Sequence, residues 1–591
     1  MSLKLSPLKV VLSVLFVGLF FFLKWLFLPP FSIQFESGFL FYGISLVAAI
    51  SVISLFFKET DDLSDLGTSL TILIIGIGGI FILWVIGGFI GSSIFNGTTK
   101  YEQLGTITEK VYTDEISPID LTQIPYVDVE LARKLGDKKL GEDPTLGSQV
   151  TLGDFTMQQV NGKLVLVAPL VHTGFFKYNA NKSGTPGYIV VSATNPQDVT
   201  LVQKINEQDI KLKYQINAYF NDDLKRHVRN SGFASEGLTD FSFELDDNGY
   251  PYWVITTCEN TTMFGTIEAT GTIVVDAMTG ECQKFSIADS PAWVDIIQPK
   301  EFIAKQINNY GSLVHGWFNP SDEGKIKATD GMSTIYNNGH CYYYTGLTSY
   351  GSDDSTIGFM LVDTRTKEAI KYSMSGAHEN AAMRSAEGKV PDLGYKATYP
   401  LPVNIDGVPT YFMTLKDAEG LVKMFAFVNI NDYGTLGVGD TIIEAKKNYS
   451  SAYLSGGNAF AFSSEAFSYN IQGIIDRIAY KVDAGSTIYS FTLEGNDLIF
   501  LAPSNLTEEL TLSQKGDTVS ISYVDEKNLS VIVSAFDNLF INTRKSEDQV
   551  IKENAVNNVT PSENNITTVD PNSINSKWDQ MSDEEKAKLL K

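Results

Sequence analysis

The sequence predicts a multidomain membrane protein: three N-terminal transmembrane helices, then tandem α+β units in which a helix accompanies antiparallel strands, then a small all-β barrel. Three observations predict it. Residues 8–95 carry few charges and fall into three long apolar runs. A turn of Asn-Gly or Asp-Gly followed by an aromatic-rich strand recurs within residues 127–432. Five strand patterns with one helical stretch among them fill the region after residue 436.

The apolar runs span Val10 to Leu28, Gly38 to Phe57 and Thr68 to Phe95. Each matches the roughly 20 residues that a helix needs to cross a bilayer. Lipid offers the backbone no hydrogen-bonding partner, so the crossings are helices. Pro29 and Pro30 end the first run, and Glu59, Asp61, Asp62 and Asp65 form a polar turn before the third. The glycines of the third run, Gly76 to Gly91, permit close helix packing. A cleaved signal peptide is disfavoured, because the first run exceeds an ordinary h-region and no small-residue cleavage site precedes Pro29. Lys4 and Lys9 precede the first run, Lys58 lies in the second loop, and the first loop has no basic residue. Basic residues mark the cytoplasmic side. The N-terminus is therefore assigned to the cytoplasm, residues 1–98 to a three-helix anchor of the cell membrane, and the large C-terminal region to the extracytoplasmic side. Residues 99–126 read as a linker.

The net charge is −24. A surface this acidic repels phosphate backbones, so nucleic-acid binding is not expected. The bilayer, met through residues 8–95, is one partner. Three cysteines, Cys258, Cys282 and Cys341, are too few for a disulfide framework and lack zinc-site spacing. A Cys258–Cys282 bond stays open beside the alternative that both are small buried residues.

Three segments carry the recurring pattern. They are Asp246-Asp-Asn-Gly-Tyr-Pro-Tyr-Trp-Val254, Tyr336-Asn-Asn-Gly-His-Cys-Tyr-Tyr-Tyr344 and Asn404-Ile-Asp-Gly-Val-Pro-Thr-Tyr-Phe412. Asn-Gly and Asp-Gly suit a hairpin turn that needs positive φ. Second strands follow at Ile273–Glu281, Met360–Glu368 and Phe427–Asn431, and a fainter copy lies at Val160–Leu166 and Ile189–Asn195. Helical patterns precede them at Val127–Leu140, Tyr214–Arg229, Pro299–Tyr310 and His378–Ser385. Four units result, at 127–203, 209–290, 299–375 and 378–432. A helix on one face of each sheet would bury a common core.

With Val275-Asp-Ala-Met-Thr-Gly-Glu281 closing a strand, the unit resembles the PepSY family of small modules found in peptidase propeptides and membrane-tethered extracytoplasmic proteins. Val362-Asp-Thr-Arg-Thr-Lys-Glu368 departs by Lys367, the last copy by Asn429 and the first by Ser192. The resemblance implies regulation of a peptidase or envelope enzyme. Read from the residues alone, Asp276, Glu281, Asp363 and Glu368 are turn residues, with the aspartate capping and the glutamate solvated.

Beyond a helix at Asp440–Tyr449, strands are expected at Gln472–Val482, Ser486–Leu493, Asp497–Ala502, Asp517–Val524 and Ser530–Phe536, with a helical stretch at Leu506–Leu512. The region 436–546 thus resembles an OB-fold barrel, in a structural or protein-binding role because basic residues are sparse. Residues 547–574 read as a disordered linker and 575–591 as a short C-terminal helix beginning near Ser582.

No catalytic, cofactor or metal motif is present. His172, His227, His315, His340 and His378 form no ligand pair at helical spacing. His340 and Cys341 are strand neighbours and point to opposite faces. Tyr342, Tyr343 and Tyr344 alternate as sheet packing. The acidic pairs Asp246-Asp247 and Asp353-Asp354 read as solvated turns. The expected function is that of a non-enzymatic, membrane-anchored scaffold or regulator that binds another protein in the membrane or envelope through its repeats. Its competitors are a subunit of a transport or secretion assembly and an envelope hydrolase with a carboxylate site. Protease added to intact cells should digest the region after residue 99; protection until lysis would reverse the assigned orientation.

Overall fold

The computed structural model describes residues 7–56, 63–111, 124–337, 339–351, 355–456, 468–483, 486–504, 506–524 and 530–541. The polar turn at 59–62, Asp353, Asp354 and everything after 541 lie outside them, including the expected linker at 547–574 and helix at 575–591.

Three helices are long and apolar enough to span a membrane: α1 (Pro7–Phe27), α2 (Glu36–Phe56) and α3 (Leu63–Ile90). Leu28, at a left-handed φ of 46°, and the two prolines after it stop α1. Helices α2 and α3 are held together in the apolar layer by serine. Ser51 Oγ donates to Ser69 O at 2.6 Å, and the hydroxyls of Ser54 and Ser69 lie 2.9 Å apart. The third span ends at Ile90, short of the expected Phe95. Gly91 and Ser92 break it, Asn96 Nδ2 donates to Ile90 O, and the chain restarts as α4 (Ser93–Tyr101).

The anchor is joined to the sheets directly. Phe31 N–H donates to Ala234 O at 2.8 Å. The Arg226 guanidinium lies over the Trp25 ring, 4.2 Å from its centroid, and donates to Trp25 O at 2.6 Å. Gly91 and Gly265 meet backbone to backbone, with no room for a Cβ on Gly265.

The region after α4 is mostly β. Four antiparallel sheets follow in chain order. Sheet 1 is built on Lys163–His172, Tyr188–Ser192 and Val199–Val202; sheet 2 on Gly237–Leu245, Pro251–Asn260, Ile267–Asp276 and Cys282–Ser286. Sheet 3 is built on His340–Ser349, Ser355–Asp363 and Ala369–Ala377; sheet 4 on Val408–Lys416, Val422–Asn429 and Leu436–Gly439. In sheets 1, 3 and 4 the first strand comes in two pieces that pair with the same neighbour: Val150–Leu152 and Thr156–Val160, Ile326–Ala328 and Ser333–Asn337, Lys396–Ala397 and Leu401–Ile405. In sheet 2 it is continuous but bulged at Asp240, which has a φ of 49°. The stretch expected as a linker supplies Ile107–Lys110, which pairs in parallel with Ala369–Ala377.

The turn after each third strand has one chemistry. Ser192, Asp276, Asp363 and Asn429 each accept, through a side-chain oxygen, the N–H groups two and three residues on, at 2.7 to 3.3 Å. The next residue's carbonyl then receives the chain leading into the unit's helix. Tyr126 and Val127 donate to Ala193 O, Lys213 and Tyr214 to Ala277 O, Ile297 and Gln298 to Thr364 O, and Ala377 to Ile430 O. Those helices are Val129–Gly141, Leu224–Asn230, Lys300–Ser312 and Glu379–Gly388. The second is shorter than the expected Tyr214–Arg229. Lys213 and Tyr214 are committed to Ala277, Phe220 has a φ of 55°, and the N-cap is Asp223, whose side chain accepts from Arg226 N–H at 2.9 Å.

Sheets 1 and 2 share a core that includes Val165, Val167, Trp253 and Ile255; sheets 3 and 4 share one with Tyr344, Phe359, Tyr411 and Met413. Between the pairs lie the segments leading into the first and third helices. Ile297 packs on Val254 of sheet 2, while Tyr343 of sheet 3 donates to Gln298 O at 3.0 Å. On the other side Tyr126 meets Phe425 of sheet 4 edge-on, and Leu421 and Val422 of that sheet pack into the core beneath Val129–Gly141.

The described residues divide into two compact units near residue 468. In the second, Ser468–Asp483, Ser486–Leu493, Ile499–Pro503, Ser530–Asn538 and Thr518–Val524 close, in that order, into a barrel. Glu508–Leu512 is helical between the third and fourth strands in sequence.

Asp363 is buried and its two N–H contacts are charge-assisted. Asp363→Ala should therefore lower stability by about 2 kcal/mol, read by thermal unfolding of the full chain in detergent. Asp247→Ala, at a hairpin turn, should stay within about 0.5 kcal/mol of the parent. Equal effects would show that the turn contacts contribute nothing.

Candidate functional site

A cavity of about 660 Å³ lies where the first strands of all four sheets meet. Its wall is formed where those strands are interrupted. Asp154, Phe155 and Thr156 come from the break in sheet 1, and Asp240, Phe241 and Ser242 from the bulge in sheet 2. Met332 to Thr334 come from sheet 3, and Thr398, Tyr399 and Leu401 from sheet 4. A broken first strand stops satisfying its neighbour and turns hydroxyl, aromatic and carboxylate groups inward. Bulges re-aim side chains in this way.

Carboxylates set the electrostatics. Asp128 and Glu130 on the wall share Lys416, whose ammonium lies 2.5 Å and 3.2 Å from them, and Glu130 also has an exposed contact of 3.8 Å with Lys134. Asp154 has an exposed contact of 3.4 Å with Arg133. Asp240 has no hydrogen bond or ion pair through its side chain among the described residues. It is exposed, and it lies on the cavity wall. Burial, followed by repulsion from Glu301, raises its pKa above the usual carboxylate range. Lys300, the lysine of the wall, is pushed down by burial. Positive φ at a non-glycine residue, a perturbed carboxyl and a concave setting mark Asp240 as the centre of the site.

Two further acids lie beside the wall, Glu244 on the same strand and Asp295 on another segment. Ser242 Oγ donates to Glu244 Oε1 at 2.6 Å, and Glu244 is 1% exposed. Glu244 Oε2 has no hydrogen-bond partner among the described residues. Burial above all, then repulsion from Asp295 and Asp240, outweighs the Ser242 hydrogen bond and lifts the carboxyl to about 8. Asp295, on the segment between sheets 2 and 3, accepts from Gln159 N–H at 2.7 Å and from Tyr336 Oη at 3.3 Å. Burial raises it to about 6. Gln158 binds both Leu245 N–H and Leu245 O, at 3.0 and 3.2 Å, tying sheet 1 to sheet 2 at this level.

The other residues singled out by sequence do not converge. Asp276 and Asp363 cap turns. Tyr342 and Tyr344 join the core between sheets 3 and 4, and Tyr343 the opposite core. His340 is exposed and Cys341 buried on the other face, its thiol pushed up to about 12 chiefly by burial. The cysteines are free. Cys258 lies opposite Ala269 and Cys282 opposite Val275, six positions apart on one strand and so separated by about 20 Å, which rules out their disulfide. Among the described residues no His, Cys, Asp or Glu group is arranged to hold a metal ion. The site itself was missed. Its one sequence signal is the recurrence of Asp154-Phe155-Thr156 as Asp240-Phe241-Ser242, each shortly before its Asn-Gly turn.

No protein-family model and no curated protein matches the chain. Among solved structures it is similar to yeast Stn1 and Ten1 (15% identity, 23% of this chain and 76% of that one, TM-score 0.11). It is also similar to a Bombyx mori GH32 beta-fructofuranosidase (10%, 69% and 70%, TM-score 0.14) and an ancestral GH74 enzyme (11%, 58% and 41%, TM-score 0.15). Likenesses at such TM-scores carry no argument about fold or activity.

Glu244 and Asp295 hold protons in the folded chain that the unfolded chain has released. Their stabilisation is present in acid and is lost as pH rises through the folded values of about 6 and about 8. The melting temperature should fall from pH 5 to pH 9. Glu244→Gln should flatten the limb approaching pH 8 and exceed the parent above it. A parent curve that rises across this range would mean that neither acid is buried as described.

Proposed function

We propose that this chain is a membrane-anchored, non-enzymatic binding protein whose four α+β units are copies of one PepSY-like module. In this reading they stand on the extracytoplasmic side and enclose a site for a cationic segment of a protein partner. The C-terminal barrel is read as OB-like, in a structural or protein-binding role. Support for four copies comes from the shared strand order, the shared turn chemistry and the shared seating of each helix-leading segment. Support for the barrel type comes from its five-strand closure and the placement of its short helix.

The observation that carries the binding reading is the Asp240 carboxylate, without a partner of its own on a wall built by four sheets. An unpaired carboxylate in a concave, partly desolvated site favours a cation, and an arginine or lysine side chain also suits the aromatic rings of Phe155, Phe241 and Tyr399. A hydrolytic reading finds some support in the raised carboxyls of Glu244 and Asp295. It is weaker because Glu244 is sealed away from any substrate, which leaves Asp240 without a second acid of established role at the wall.

The test is titration of the purified full chain in detergent with short arginine- or lysine-bearing peptides, acidic peptides and oligosaccharides. Basic peptides should bind saturably and lose affinity as salt rises, and Asp240→Asn should weaken them about tenfold. Indifference of binding to Asp240→Asn would remove the cavity from the reading. Turnover of an oligosaccharide that stops in the same variant would replace it with the hydrolytic one.

A further inference from the structure

We propose that the loop around Trp317 and Phe318 inserts into the bilayer interface beside the third span, as a second membrane contact besides the three helices. The two side chains are 53% and 71% exposed and their rings lie 5.5 Å apart. Continuity with the anchor identifies what covers them. Phe95, in the first turn of α4, folds back edge-on against Phe89 in the last turn of α3, with ring centroids 5.2 Å apart. The start of α4 therefore sits at the end of the apolar layer. Gly97 follows two residues on, past the non-helical Asn96, and a Cβ placed on it would lie 3.8 Å from the backbone N of Trp317. Trp317 is thus close to the chain two residues beyond Phe95, which is itself 60% exposed. Aromatic side chains gather at this level of a membrane because one end can be apolar and the other wet.

The loop is braced, not slack. His315 and Gly316 turn the chain through φ values of 65° and 85° just before Trp317. Asn319, 8% exposed, closes it from within: Nδ2 donates to Glu323 O at 2.9 Å, and its carbonyl accepts from Lys325 Nζ at 2.9 Å. A water-facing loop gains nothing from holding two large apolar rings outward, whereas an interfacial loop gains a fixed point that sets the tilt of the sheets on the membrane. The inference holds for either orientation of the anchor and does not depend on the cavity's ligand.

The test uses the full chain in phosphatidylcholine–phosphatidylglycerol vesicles. A nitroxide is placed at Phe318→Cys and, for comparison, at Asn161→Cys in a hairpin turn, both with Cys282→Ser. Collisional access of oxygen relative to a neutral nickel chelate should be several-fold higher at position 318. A water-like ratio at both positions overturns the proposal. Because a label could perturb the loop, fluorescence quenching by lipids brominated near the headgroup is read as well. Trp317→Phe should remove part of the quenchable emission. An unchanged quenchable component would also overturn the proposal.

Discussion

The structure between the anchor and the barrel depends on one constraint: its sheets are apolar on both faces. In Lys163–His172 the side chains of Val165 and Val167 enter the core shared with sheet 2, while Leu166, Ala168 and Leu170 enter the core beneath Val129–Gly141. In sheet 3, Phe359 and Leu361 face sheet 4, while Met360 and Val362 face Ile303 and Ile307 of the following core. A sheet of this kind cannot leave one face in water, and a single helix cannot cover it. Sheets 1 and 3 therefore take another sheet on one side and a helix with its leading segment on the other, whereas the helices Leu224–Asn230 and Glu379–Gly388 enter the shared cores themselves, through Leu224 and Val228 and through Ala382 and Ala386. The shared turn after the third strand follows from that arrangement, because its carbonyl is where the covering segment is pinned.

The same constraint accounts for the cavity. Sheets brought face to face converge along their first strands, and four convergent strands leave too little room for unbroken pairing. Three are split and the fourth is bulged at Asp240. The interruptions leave backbone and short polar side chains facing the centre, where the apolar faces do not reach. Asp240 accepts an unfavourable φ because pairing on both sides of the bulge over-determines it. Glu244, on the same strand, lies where the sheets close again, and it is uncharged below about pH 8 for lack of water. Charge at the cavity and neutrality beside it are two outcomes of one strand passing from an open to a closed part of the packing.

What was legible in the sequence was local. Long apolar runs announced the spans, and Asp406-Gly407, at φ values of 54° and 83°, made the hairpin that its residue types require. The barrel strand Thr518–Val524 was visible through the alternation of Gly516 to Tyr523. What was not legible was set by partners distant in the chain. Tyr214 looked helical by pattern, but its N–H was needed at Ala277. Ile107–Lys110 lies in a stretch without strand patterning and is ordered by an edge 262 residues away, as the Lys371 Nζ to Glu109 bond of 2.8 Å shows. The site was hidden for the same reason. Asp154 and Asp240 are unremarkable turn-region acids until two sheets bring them to one wall.

The anchor and the cavity are connected through a single strand. Gly237, where Gly237–Leu245 begins, lies against Phe35 in the loop between α1 and α2, with no room for a Cβ between them. Ala234, just before it, holds Phe31, and Arg229 braces the approach through the carbonyls of Phe233 and Glu236. Asp240 is three residues farther on, or about 10 Å along the strand. The residue that gives the cavity its charge is therefore fixed relative to the membrane by a short run of paired backbone and not by a flexible tether. A displacement of α1 against α2 at their common end would be felt first at Gly237 and next at the bulge. Sheet 2 is where a state of the membrane segments and occupancy of the cavity would be energetically linked, because among the described residues it touches the α1–α2 loop and the α3 end while also contributing Asp240.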